Sequence, residues 1–83
     1  MAVKISDLLT VADAMKERLV VEDVTVSYWV FKDSKKITAL RNGADITVGW
    51  FNEAMAWFSD NWPKGTKWPL GIERPRRPVK GDA

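Results

Sequence analysis

Lys32, Ser34, Lys35, Lys36, Thr38, Arg41 and Asn42 lie close together in one segment, interrupted by few acidic side chains. These residue types recognise polyanions. Lysine and arginine hold phosphates, while Arg, Lys, Ser, Thr and Asn also pair with the edges of bases. The opposite kind of chemistry is poorly supplied. The chain has no Cys and no His, so it lacks the commonest general base, the commonest metal ligand and any thiol nucleophile. No phosphate-cradling glycine loop, nucleophile elbow or metal-ligand spacing occurs. The carboxylates at positions 7, 13, 17, 22 and 23 read as a solvated polar face. No enzymatic activity and no cofactor are expected.

The segment 33–43 has the form of one short helix. Asp33 or Ser34 can accept hydrogen bonds from first-turn amides, and Asn42-Gly43 can supply the left-handed residue that ends a helix. Ile37 and Leu40 face inward, with Ala39 as a third candidate for that face. Such a helix, about two and a half turns long, does not hold itself in water, so its neighbours must position it.

Those neighbours are legible. Ser6 can cap a first helix over about residues 7–20, in which Leu8, Val11, Ala12, Met15 and Leu19 make one apolar stripe. Val24 to Phe31 is rich in β-branched and aromatic residues and would pass as a strand, even as part of a winged arrangement. It has no strand-like partner elsewhere in the chain, so a short helix behind an Asp23 cap is the preferred reading. Thr47 caps a last helix over about 48–61, with Ile46 and Phe51 at the spacing of a hydrophobic staple. Phe51, Met55, Phe58 and Trp62 form its stripe, widened by Trp50 and Trp57. That broad arc suggests a dimer seam at Trp50 and Trp57, since tryptophan is a favoured interface anchor.

After Trp62 the prolines forbid a long helix. The chain repeats itself briefly, as Trp62-Pro63-Lys64-Gly65 and Trp68-Pro69-Leu70-Gly71. The two tryptophans are expected to fold back as plugs. Residues 73–83 look unfolded in isolation. The expected organisation is therefore all-α: a compact four-helix helix-turn-helix domain over residues 1–63, then an irregular Trp/Pro-rich basic tail over 64–83, partly packed and partly disordered.

The net charge is only +2, but it is unevenly spread. Residues 32–43 and 64–83 are basic, and residues 1–31 and 44–63 are acidic. That is the pattern of a protein with one polyanion-facing side. A solvated helix face plus a solubilising tail is the plainer account. The N-terminal segment has no apolar run of signal-peptide or membrane-span length, so a cytoplasmic, nucleoid-associated protein without membrane contact is expected.

The run Lys36-Ile37-Thr38-Ala39-Leu40-Arg41-Asn42-Gly43, followed by the Thr47-capped helix, resembles the second half of lambda-repressor-like, Cro-type helix-turn-helix regulators. The likeness spans about residues 6–62. It implies sequence-specific binding to double-stranded DNA as a homodimer, commonly in a phage or bacterial transcription regulator such as a repressor. Ser34, Lys35 and Thr38 would then reach base edges, while Lys32, Lys36 and Arg41 hold phosphates, with Asn42 at the helix end. Arg41 could instead pair locally with its own helix carbonyls or with Asp45. The tail cations Arg74, Arg76, Arg77 and Lys80 would form a basic arm. Two features depart from the family pattern. Ser27-Tyr28-Trp29 replaces the usual small residue inside the second helix, and Phe31-Lys32-Asp33 replaces a small-residue turn. The competing class is a small helical protein-interaction module, a phage inhibitor or antitoxin-like adaptor, that docks a protein partner through the Trp-rich last helix and tail.

Overall fold

Apolar residues at helical spacing produce the first element. In the computed structural model, which describes residues 4–75, the Leu8, Val11, Ala12 and Met15 stripe is the buried face of α1 (Ile5–Leu19). The helix begins ahead of Ser6. Lys4 occupies the cap position without a side-chain bond, and its carbonyl accepts from the amides of Asp7 and Leu8. Ile5 packs against the core and draws the first turn one step toward the N-terminus. Ser6 is thus inside the helix rather than its cap, and its carbonyl accepts the Thr10 hydroxyl at 2.8 Å.

The far end of α1 is strained. Val20 adopts the left-handed conformation (φ 56°, ψ 54°) with 87% of its surface exposed. A β-branched side chain is poorly suited to that region, where glycine is usual. Because Val20 buries so little, Val20→Gly is expected to stabilise the domain by about 1 kcal/mol, raising the melting temperature by roughly 4–8 °C. Thermal denaturation followed by circular dichroism checks this.

The segment that could have been a strand is helix α2 (Asp23–Phe31). No strand occurs among the described residues. Val26, Ser27 and Phe31 are its buried side chains. Asp23 does not cap it. Glu22 holds the cap position without a side-chain bond, and the Asp23 carboxylate is drawn to cations on other helices.

α3 (Lys36–Arg41) is shorter than the segment suggested. Asp33 and Ser34 form the turn that enters it, and the Asp33 carboxylate accepts the Lys35 amide at 2.9 Å. The helix ends in paired bonds from Gly43 N–H to the Leu40 carbonyl and from Ala44 N–H to the Ala39 carbonyl. Gly43 (φ 101°) is the left-handed residue that makes this closure possible, while Asn42 stays at φ −94°. α4 (Val48–Asp60) starts as its sequence implies, with Thr47 Oγ1 accepting the Trp50 amide at 3.1 Å. Ile46, just before the cap, is buried.

Leu8, Val11, Met15, Val26, Ile37 and Phe58 form the fully buried centre. α1 and α2 each contact every other helix. The backbone of α3 rests on α1 and α2 and stays clear of α4. Among the described residues the architecture is an all-helical domain of four helices, and none of them is long and apolar enough to cross a membrane.

Residues 61–75 run back over the helices as a strap. Each copy of the Trp-Pro-X-Gly echo closes in the same way, with the indole N–H bonding the carbonyl four residues on. Trp62 Nε1 reaches the Thr66 carbonyl and Trp68 Nε1 the Ile72 carbonyl, both at 2.8 Å. Gly65 (φ 78°) and Gly71 (φ 82°) supply the positive φ that the turns need. The two indoles pack on each other with centroids 4.8 Å apart and on the core.

Candidate nucleic-acid interface

The geometry of α3 sorts the predicted site residues. At about 100° per residue, with Ile37 and Leu40 inward, the positions pointing most directly away from the core are 35, 38, 39 and 42. Lys35, Thr38 and Asn42 are exposed and occupy three of them. Lys36 and Arg41 lie on opposite flanks, and their surroundings are unlike.

Arg41 turns toward the body of the protein. Its Nε donates to Asp23 Oδ2 at 2.9 Å and its Nη2 to Asp23 Oδ1 at 3.0 Å, while Nη2 also meets Asp13 of α1. Lys16 Nζ joins the same Asp23 carboxylate at 2.7 Å. The fork-shaped guanidinium suits this bidentate grip. The Arg41 hydrogen bonds, with Lys16 beside them, hold the Asp23 carboxyl below the usual carboxylate range. Arg41 is in turn held above its ordinary value, chiefly by Asp23 and then by Asp13. The cluster ties the C-terminal end of α3 to α1 and α2. Arg41 is therefore a structural brace with its charge already matched, and its partners are neither its own helix carbonyls nor Asp45.

At the N-terminal end of α3 a buried hydroxyl ties the helix to α2. Ser27 is 0% exposed, and its Oγ accepts the Ile37 amide at 3.0 Å and donates to the Asp33 carbonyl. In an uninterrupted helix the Ile37 amide would bond that carbonyl directly. The Ser27 hydroxyl stands between them and stitches α2 to the first turn of α3. Lys32 completes the link by taking the left-handed conformation (φ 58°) at the end of α2, its amide bonding the Tyr28 carbonyl at 2.9 Å. Lys32, not a small residue, therefore takes the left-handed position between α2 and α3.

The remaining cations are open. Among the described residues, no carboxylate pairs with Lys32, Lys35 or Lys36. Lys32 lies with its ammonium 5.8 Å from the centroid of the exposed Tyr28 ring. Lys36 borders a hollow of about 200 Å³ shared with Phe31, Asp33 and Trp50. Ser34 is half-buried in the turn. The structure brings Lys32, Ser34, Lys35, Lys36, Thr38 and Asn42 into one neighbourhood.

The other predicted positions stand elsewhere. Trp57 is half-buried, stacked on Trp29 (centroids 6.2 Å apart, planes at 29°) and edge-on to Phe58 at 5.6 Å. Its surface is largely matched within the chain. Trp50 is 53% exposed beside Phe31. Arg74 is fastened to α4, donating from Nε to the Ser59 hydroxyl at 3.0 Å and from Nη2 to the Ser59 carbonyl at 2.8 Å, with its guanidinium over Trp68. Arg76, Arg77 and Lys80 lie outside the described residues.

Ser27 and Lys16 are positioning residues to which the sequence alone assigns no such role, and Asp13 and Asp23, expected on a solvated face, are instead ion-paired with Arg41 and Lys16. A serine embedded in an otherwise apolar, aromatic helix was the available signal for the first. The acidic pair on α1 and α2 carried none beyond their charge. Among the described residues no group of acidic side chains could hold a metal ion. Comparisons of the chain with known protein families, with characterised proteins and with solved structures find no match.

Proposed function

We propose that this chain binds double-stranded DNA in a sequence-specific way and regulates transcription as a dimer, in the manner of the Cro-type regulators its sequence resembles. The observation that carries the reading is the treatment of α3. A helix of less than two turns is clamped at one end by the Ser27 hydroxyl and at the other by Arg41. Its free face carries a lysine, a threonine and an asparagine, with two further unpaired lysines beside it. Structural clamps at both ends serve a helix whose outward face must meet a ligand at a set angle.

In this reading α3 enters the major groove, with Lys35, Thr38 and Asn42 nearest the base edges. Ser34 follows at the turn, and Lys32 and Lys36 flank the groove as phosphate contacts. Arg41 acts through its hold on α3 rather than by touching DNA. Duplex fragments selected from random sequence by the purified protein provide the test. Binding through about five phosphates per complex should give a log–log salt slope of roughly −4 to −5. No retarded fragment at low salt, in any selected or genomic duplex, would end the DNA reading.

A further inference from the structure

All five tryptophans lie in the described residues, and Trp50 alone among them is exposed. The other four have their rings occupied. Trp29 stacks on Trp57, and Trp62 packs on Trp68. Trp50 meets the Phe31 ring obliquely, with centroids 6.1 Å apart and planes at 51°, and keeps 53% of its surface open. These two rings, together with Asp33 and Lys36, border the hollow of about 200 Å³. That is smaller than the ~300–1,000 Å³ of pockets for drug-sized molecules, and it suits one planar ring system.

The aromatic surface continues along α2. Tyr28 stands three residues before Phe31, so the two are neighbours on the helix, and Tyr28 is 57% exposed. Lys32 holds its ammonium 5.8 Å from the Tyr28 ring. Exposed rings and lysines are therefore interleaved, Tyr28 with Lys32 and Trp50 with Lys36. Neither lysine has a carboxylate partner among the described residues. Asp33 is the one carboxylate bordering the hollow, and it already accepts the Lys35 amide at 2.9 Å.

Free cations alternating with open rings suit one ligand chemistry. A nucleic acid strand offers a flat base and a phosphate in every unit, and proteins that hold single strands combine a basic track with stacking aromatics. A second copy of this chain fits the patch poorly, because a two-fold pairing through it turns lysines toward lysines. We propose that the Phe31–Trp50 hollow takes one unpaired nucleobase of a DNA strand, stacked on the Trp50 indole, with adjoining phosphates on Lys36 and Lys32. The site shares those lysines with the duplex reading but goes beyond it, since a paired base has its faces covered by its neighbours. It also assigns Trp50 to nucleic acid rather than to a dimer seam.

Fluorescence anisotropy with the full chain and three labelled probes tests the proposal. The probes are a short mixed-sequence single strand, an abasic strand of the same length and charge, and a duplex. The wild type should bind the single strand about 5- to 150-fold more tightly than the abasic strand, the worth of one stacked base. Trp50→Ala should erase that preference and leave duplex affinity unchanged, whereas Trp50→Phe, which keeps a ring, should retain most of it. A wild type that binds both strands equally, or neither at low salt, overturns the proposal without any variant having to fold. A Trp50→Ala protein that keeps the full preference overturns it as well. So does a loss confined to dimerisation, which returns Trp50 to a subunit seam. The two readings fail separately: duplex binding without single-strand binding removes only this site, and the converse removes only the duplex function.

Discussion

Ser27→Ala is expected to destabilise the domain by about 1–3 kcal/mol. The hydroxyl is fully buried, and it satisfies the Ile37 amide and the Asp33 carbonyl at once. Alanine leaves that amide without its acceptor unless the first turn of α3 tightens onto Asp33. Tightening moves the helix relative to α2, so either response costs something. One loses stability, and the other alters the angle at which Lys35, Thr38 and Asn42 are presented. Ser27→Val should be worse by a further ~1–3 kcal/mol, because it adds methyl groups where no space exists. Against a whole-domain stability of about 5–15 kcal/mol, these are large fractions. Chemical denaturation of the two variants measures the cost. A Ser27→Ala protein as stable as the wild type, with unchanged spectra for residues 33–37, would show that the stitch between α2 and α3 contributes nothing.

The second large effect belongs to the open cations. Lys35→Ala combined with Lys36→Ala should reduce duplex DNA affinity by about two orders of magnitude at moderate salt and flatten the log–log salt slope by about 2. Stability should change by no more than roughly 0.5 kcal/mol, because neither lysine has a carboxylate partner among the described residues. Fluorescence anisotropy with a selected duplex, repeated across a salt series, gives both numbers. The contrast with Arg41→Ala sharpens the interpretation. That substitution strips the partner from Asp23 and Asp13 and unfastens one end of α3. Its loss of binding should therefore come with a lower melting temperature, which the lysine variant does not show. Unimpaired DNA binding by the double lysine variant would remove α3 as the contact surface.

The local features of this protein were legible because each depends on residues close in the chain. The stripe of α1, the Thr47 cap, the closure at Gly43 and the breaking of helix by the Trp-Pro pairs all follow from spacing or from backbone chemistry within a few residues. α2 was harder, because Val24 to Phe31 is apolar on nearly every side and periodicity has no purchase there. The decisive fact was negative: no other segment could pair with it as a strand. Cap positions slipped for a related reason. Packing of Ile5 and the pull of distant cations on Asp23 outweighed the roughly 1 kcal/mol that a side-chain cap contributes.

The sequence by itself determined which elements form, and that a basic polar face exists on the short helix α3. Only the tertiary structure decided which cations on that face are free. Arg41 and Lys35 look alike as letters, yet one meets carboxylates 18 and 28 residues away and the other is exposed with no carboxylate partner among the described residues. Arg74, offered by the sequence as part of an arm, is held by a serine on α4. Ser27 passes from an odd residue in an apolar run to the pin that sets α3 against α2. The physical reason is common to all three. Propensity and periodicity act over one or two helical turns, whereas an ion pair or a buried hydrogen bond depends on which surfaces the whole core brings into contact.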